Sequence, residues 1–251
     1  MFLAILKMKQ SQIDYLNYKE TNYSCGGHLI ISEKRNNKIH HFKSLDPQSP
    51  FAPNWDYSII TTKCDLDVQE LSTLILDNEK IIIDKYPPAN DDGYTGLGMD
   101  SLTSRYPYFN LLTWDHSICK QLHKKISEFH DEYVKLVGAS FLSNLRVRCW
   151  ANIMRKGQKI KTHYHSTHPL TYLSGHFCVQ CYNSSTIYNN PYRSISEDDG
   201  FYIKNHENQM SLFPTWLPHS TTKHMENIER ITIAFDIVPE NGINLTNTIP
   251  L

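Results

Sequence analysis

Apolar and polar positions divide this chain near residue 140. Before that point hydrophobic residues recur at helical spacing; after it they fall into short alternating runs. In DHSICKQLHKKISEFHDEYVKLVG, Ile118, Leu122, Ile126, Phe129 and Val134 repeat as one helical face does, and Gly138 supplies a stop. DLDVQELSTLILDNEKIIIDKY opens on Asp and carries leucines at 66, 71, 74 and 76, which predicts a capped helix from about Val68 to Asn78. Further upstream, CGGHLIISEKRNNKIHHF predicts a hairpin turning at Asn-Asn, and the Pro-rich LDPQSPFAPNW reads as a connector.

After residue 140 come LRVRCWANIM, LTYLSGHFCVQCY, STIYN, GFYIK, QMSLFP and ERITIAFDIV, separated by Asn, Ser, Pro and Gly. Short strands at this spacing predict a sandwich or jelly roll. Helices first and strands later make an α+β chain whose strand half forms the core. The expected organisation is an N-terminal extension over 1–54 and one domain over 55–251, helical in 55–140 and β in 141–240.

Two of these runs have mixed faces, because side chains alternate with period two. Val147, Cys149, Ala151 and Ile153 share one side of the first; Arg146, Arg148, Trp150 and Asn152 share the other. In the last, Ile231, Ile233, Phe235 and Ile237 oppose Arg230, Thr232, Ala234 and Asp236. A polar face of this kind is either solvated or lines a barrel that holds a charged ligand, and periodicity by itself favours solvation.

Composition narrows the function classes. Twenty-five Lys and Arg against 26 Asp and Glu give no electrostatic reason to expect nucleic acid or an anionic membrane as partner. MFLAIL is too short for a signal-peptide core or a membrane span. The six cysteines are scattered, and read as thiols of a cytoplasmic protein rather than a disulfide framework. In HFCVQC, Cys178 and Cys181 lie an odd number apart, hence on opposite faces of a strand, and no second pair completes a zinc site. His116, His123 and His130 form a solvated flank of the long helix, and GYTGLG is a loop suited to covering a barrel mouth.

The candidate chemistry lies in THYHSTHP. Strand alternation lets His163 and His165 face one ion, and imidazole suits iron, zinc, copper and nickel. His168, next to the proline, is the competing ligand. Downstream, His219 ends an apolar run and Arg230 begins a patterned strand, so a short hairpin would bring both to one cavity. Arg230 is suited to a carboxylate through its planar fork, with Thr232 as a neighbouring hydroxyl donor.

From Trp150 to about Val238 the chain resembles the iron(II)/2-oxoglutarate-dependent oxygenases, closest to a bacterial and phage branch. The matching residues are Trp150 and Asn152, the His163–Pro169 cluster, Ser174-Gly175, Asn190-Pro191, Phe213-Pro214, His219, and Arg230 with Thr232. The resemblance implies a double-stranded β-helix with the N-terminal helices packed on it. It implies iron(II) held by His163, His165 and His219, and 2-oxoglutarate held by Arg230 and Thr232, with Asn152 and Trp150 also at the cofactor. It further implies a dioxygenase that consumes O2, releases succinate and CO2, and oxidises a small polar substrate such as an amino acid, hydroxylation being the default over desaturation, cyclisation or epoxidation. Three departures stand out: His165 occupies the usual carboxylate position, residues intervene between the histidine pair and the proline, and Cys178 stands where relatives often carry tyrosine. The missing carboxylate also fits a cupin-like three-histidine metalloenzyme that does not use 2-oxoglutarate. A jelly-roll binding module with surface histidines is the non-enzymatic alternative.

Overall fold

The computed structural model describes residues 18–23, 27–190, 200–242 and 245–251. The MFLAIL segment, Cys25 and Pro191 lie outside them. Four antiparallel strands come first: β1 (Tyr18–Tyr23), β2 (Gly27–Lys34), β3 (Asn37–Ser44) and β4 (Asp56–Lys63). The expected hairpin is β2–β3, and its two-residue turn is Arg35-Asn36, one position before Asn-Asn, with Arg35 at φ 55°. Strand β4 lies in a stretch read as helical. Its β-branched run Ile59-Ile60-Thr61 pairs with β3 and is buried in the sheet interior, where no alternation is required.

Helix α1 (Val68–Lys85) starts where expected, with Asp67 accepting the amides of Gln69 and Glu70. It runs beyond Asn78 because Ile82 extends the buried face of Leu71 and Ile75. Helix α2 (Ser117–Val137) stops at Gly138, which takes the left-handed conformation at φ 69°.

Strands β5 (Leu145–Met154), β6 (Leu173–Gln180), β7 (Ser185–Tyr188), β8 (Phe201–Lys204), β9 (Gln209–Pro214), β10 (His219–Thr221) and β11 (Arg230–Pro239) follow, then the short β12 (Ile249–Pro250). The large sheet has the order β1-β2-β3-β4-β9-β6-β11-β5-β12 and the small one β10-β7-β8. Around residues 160–165 an extended segment joins the small sheet through a two-way bridge between His163 and His219 and an amide from Thr221 to Ile160. From β5 onward the chain therefore winds between two facing sheets, contributing β5, β6, β9 and β11 to one and the extended segment, β7, β8 and β10 to the other. This is the double-stranded β-helix.

The apolar faces of β5 and β11 bury Val147, Cys149, Ala151, Ile153, Ile231, Ile233, Phe235 and Ile237 in one core with Leu71, Ile75, Ile118, Leu122, Ile126 and Phe129 of the helices. That leaves the polar faces of both strands turned into the barrel, against the solvated reading that periodicity favours. Near His130 the helix flank is not solvated either: this imidazole is buried and bonded to the Tyr172 hydroxyl at 2.9 Å, while His123 on the same flank is half-buried and meets the Pro250 carbonyl at 3.0 Å. In β6 the pairing with β11 skips Val179, since Ile231 opposes Gln180 and Thr232 opposes Cys178. This bulge breaks the regular alternation on which the opposite-face reading rests, and the Cys181 thiol donates to the Ile231 carbonyl at 3.8 Å. Cys178 and Cys181 are both buried free thiols.

Candidate metal and cosubstrate site

A cavity of about 660 Å³ opens between the sheets, lined on one wall by Arg148, Trp150 and Asn152 of β5 and by Arg230, Thr232, Ala234 and Asp236 of β11. His163, His165 and His219 face them, with potential ligand atoms all within 4.8 Å of one another. The bridge to β10 holds His163 and His219 side by side, their ring centroids 4.5 Å apart. His165, two residues on, is anchored by its amide to the Thr215 carbonyl, so the expected alternation places it beside them. His219 and Arg230 do reach one cavity, but not through a hairpin. Strand β10 pairs with β7 in the small sheet, whereas β11 pairs with β5 and β6 in the large one.

Each of the three imidazoles is tied through Nδ1. His163 Nδ1 meets the Lys161 carbonyl at 2.9 Å, His219 Nδ1 the Leu217 carbonyl at 2.9 Å, and His165 Nδ1 the Asp236 carboxylate at 2.5 Å. Carbonyls and carboxylates only accept, so Nδ1 carries the proton and Nε2 keeps its lone pair for a metal. Burial, then the neighbouring His165, lowers the His163 pKa to about 4, and burial drives that of His219 well down. Neutral imidazole is the ligand form, and three nitrogen donors suit iron(II). His168 is exposed, accepts the Leu170 amide, and stands apart from the cluster.

A carboxylate is present after all, one shell further out. Asp236 accepts from His165, from Ser174 Oγ at 2.7 Å and from Arg148 at 2.8 and 3.1 Å. Burial works to raise its pKa, but the neighbouring His165 and Arg148 and these hydrogen bonds win, holding it far below the usual range. The sequence signal was its place on the same face of β11 as Arg230 and Thr232; its partners come from β5, β6 and the histidine segment. Gly175, beside Ser174, has no room for a side chain, since a Cβ would meet the Ser211 carbonyl and the Phe235 ring. The Ser-Gly pair thus combines an Asp236 donor with a close strand crossing. Trp150 packs against His165 at 5.6 Å between ring centroids.

Arg230 is 1% exposed, and among the described residues it meets only Ser184 Oγ at 3.0 Å and Met154 Sδ at 3.4 Å. A buried guanidinium without a carboxylate is costly unless an anion completes it. Thr232 lines the cavity two residues on. The Thr103 hydroxyl donates to Asn152 Oδ1 at 2.8 Å, leaving the Nδ2 donors of Asn152 to the cavity. Gly93, Tyr94 and Thr95 of the GYTGLG loop also line it, with Asp91 just before the loop. Arg146 instead bonds Thr248.

No curated protein matches the chain in sequence. Among solved structures, an oxidoreductase of the 2OG-Fe(II) oxygenase family from Burkholderia pseudomallei is 16% identical, with TM-score 0.37 over 45% of this chain; this chain spans only 52% of its length. A prolyl-4-hydroxylase from Pseudomonas putida is 7% identical, with TM-score 0.49 over 73% of this chain and 93% of its own. A non-heme alpha ketoglutarate dependent carbocyclase from nogalamycin biosynthesis is 11% identical, with TM-score 0.46 over 72% and 79%. Residues 148–236 match the family model described as "Putative 2OG-Fe(II) oxygenase", a span that begins at Arg148 and ends at its partner Asp236. The cofactors of that family are iron(II), 2-oxoglutarate and O2, and the three-imidazole cluster fits the metal. Over residues 148–236 the chain is thus similar to the iron(II)/2-oxoglutarate-dependent oxygenases.

Proposed function

We propose that the protein is a dioxygenase that hydroxylates an unactivated C–H bond of a small polar molecule, such as an amino acid or derivative. In this reading His163, His165 and His219 hold iron(II) through Nε2. Arg230 and Thr232 take the far carboxylate of 2-oxoglutarate, and Asn152 and Trp150 border the bound cosubstrate. Iron, 2-oxoglutarate and O2 together supply the oxidant, with succinate and CO2 as coproducts. The polypeptide orients the imidazoles through their Nδ1 bonds, pairs the cosubstrate's charge and shields the site from bulk water. Residues 55–251 form the oxygenase unit, with 1–54 as an extension.

The observation that carries this reading is the pairing, in one cavity, of three Nδ1-tethered imidazoles with a buried arginine that meets no carboxylate among the described residues. Tyr94 and the rest of the GYTGLG loop face the substrate. The test is succinate formation from 2-oxoglutarate with added iron(II), screened over free amino acids and short peptides. Arg230→Ala should abolish 2-oxoglutarate binding and leave iron bound. A wild-type protein that binds no metal and forms no succinate would sink the reading. The cluster of three histidines with no carboxylate among the described residues favours one rival, a three-histidine metalloenzyme that ignores 2-oxoglutarate. Normal turnover of Arg230→Ala would select it.

A further inference from the structure

A chain of buried hydrogen bonds leaves Arg230 and returns to the cavity at His176. Arg230 Nε donates to Ser184 Oγ at 3.0 Å, and Asn205 Nδ2 donates to the same oxygen at 3.2 Å. The Asn205 amide also donates to the Ser184 carbonyl at 3.0 Å. Thr186 Oγ1 donates to Asn205 Oδ1 at 3.0 Å and meets His176 Nε2 at 3.4 Å. Ser184, Thr186 and Asn205 are each at most 3% exposed.

The bond directions follow from the donors. A guanidinium Nε can only donate, so Ser184 Oγ accepts from it. The Thr186 hydroxyl gives its proton to Asn205 Oδ1, which places the Asn205 NH2 group towards Ser184 and leaves His176 Nε2–H to donate to Thr186. Thr186 and His176 line the cavity, whereas Ser184 and Asn205 lie behind it.

Arginine has several rotatable bonds, and a ligand that must order it binds more weakly than one that meets it already fixed. With Nε tied back to Ser184 and Nη1 resting on Met154 Sδ, the remaining edge of the fork is held in place. We infer that Ser184 and Asn205 are positioning residues for 2-oxoglutarate, acting through Arg230 without touching the cosubstrate. This rests on the assignment of Arg230 given above. The plain alternative is that the chain only satisfies polar groups buried between the sheets.

The two are separated by anaerobic calorimetric titration of the iron(II)-loaded protein with 2-oxoglutarate and, in parallel, with 2-oxopentanoate, which lacks the far carboxylate. Ser184→Ala should raise the Kd for 2-oxoglutarate about tenfold or more, the effect of losing a hydrogen bond to a charged group. It should leave 2-oxopentanoate and iron affinity within about twofold. Asn205→Asp, close in shape, puts a competing carboxylate near the fork and should weaken 2-oxoglutarate further; Ser184→Thr should restore it. Equal weakening of both oxo acids, or no change in either, overturns the inference. If Ser184→Ala does not fold, Asn205→Asp with the same pair of ligands decides. Loss of 2-oxoglutarate binding in Arg230→Ala, with wild-type binding in Ser184→Ala, refutes the positioning role alone. Wild-type binding in Arg230→Ala refutes the underlying assignment of Arg230.

Discussion

His165 and Asp236 stand 71 positions apart in sequence and share a hydrogen bond between Nδ1 and the carboxylate. In the proposed function the carboxylate thus orients a ligand instead of being one. Partners of this kind fix the tautomer and raise ligand basicity, and their loss typically costs about 10–100-fold in metal affinity. Asp236→Asn should therefore weaken iron(II) binding by roughly that factor. It also leaves the Arg148 guanidinium without its anion, so affinity must be measured per folded molecule. Unchanged affinity in a folded variant would show that the bond does not orient the ligand.

The competition between His163 and His168 has a direct check. His163→Ala and His219→Ala each remove a tethered imidazole and should lose stoichiometric iron(II), measured on anaerobically purified protein. His168→Ala removes an exposed side chain outside the cluster and should keep it. Metal loss in His168→Ala, with retention in His163→Ala, would reverse the ligand assignment.

Gly175→Ala tests the strand crossing behind the site. The added methyl meets a backbone carbonyl and the edge of Phe235, neither of which yields easily. Overpacking of this sort costs about 1–3 kcal/mol. For a chain of this size each kcal/mol lowers Tm by roughly 2–4 °C. A variant with unchanged Tm would mean that the crossing relaxes freely.

Acid should destabilise the protein through its buried neutral histidines. Burial, with Lys38 nearby, lowers the His40 pKa to about 4; burial, with Arg230 and His165, lowers that of His176 to about 3. The unfolded chain binds these protons near 6.5 and the folded protein does not, so stability rises with pH in this window. The contribution of His40 is full above 6.5 and is lost as pH falls to about 4; that of His176 fades down to about 3. Each adds a slope of about 1.4 kcal/mol per pH unit within its window. Urea unfolding of metal-free His40→Gln between pH 7.5 and 5 should show a shallower dependence than wild type. An identical slope would remove His40 from the account.

What the sequence determined by itself was local. Alternation defined β5, β9 and β11 to within a residue, the Asp-led stretch from Asp65 and Gly138 marked a helix start near Val68 and a helix stop, and ordered motifs pointed to His163, His165, His219 and Arg230. Those features depend on neighbours along the chain, where spacing and side-chain chemistry are enough. Strand β4 escaped because a strand buried on both faces has no period to detect. The bulge at Val179 escaped because one extra residue inverts the facing of all that follow. Only the tertiary structure decided that the polar faces of β5 and β11 turn inward, because that depends on the helices covering the opposite face. It also decided that Asp236, Ser174 and Arg148 stand behind His165, a grouping made when β5, β6 and β11 pair across long stretches of chain. The carboxylate not found beside THYHSTHP is supplied by that pairing, one hydrogen bond behind His165.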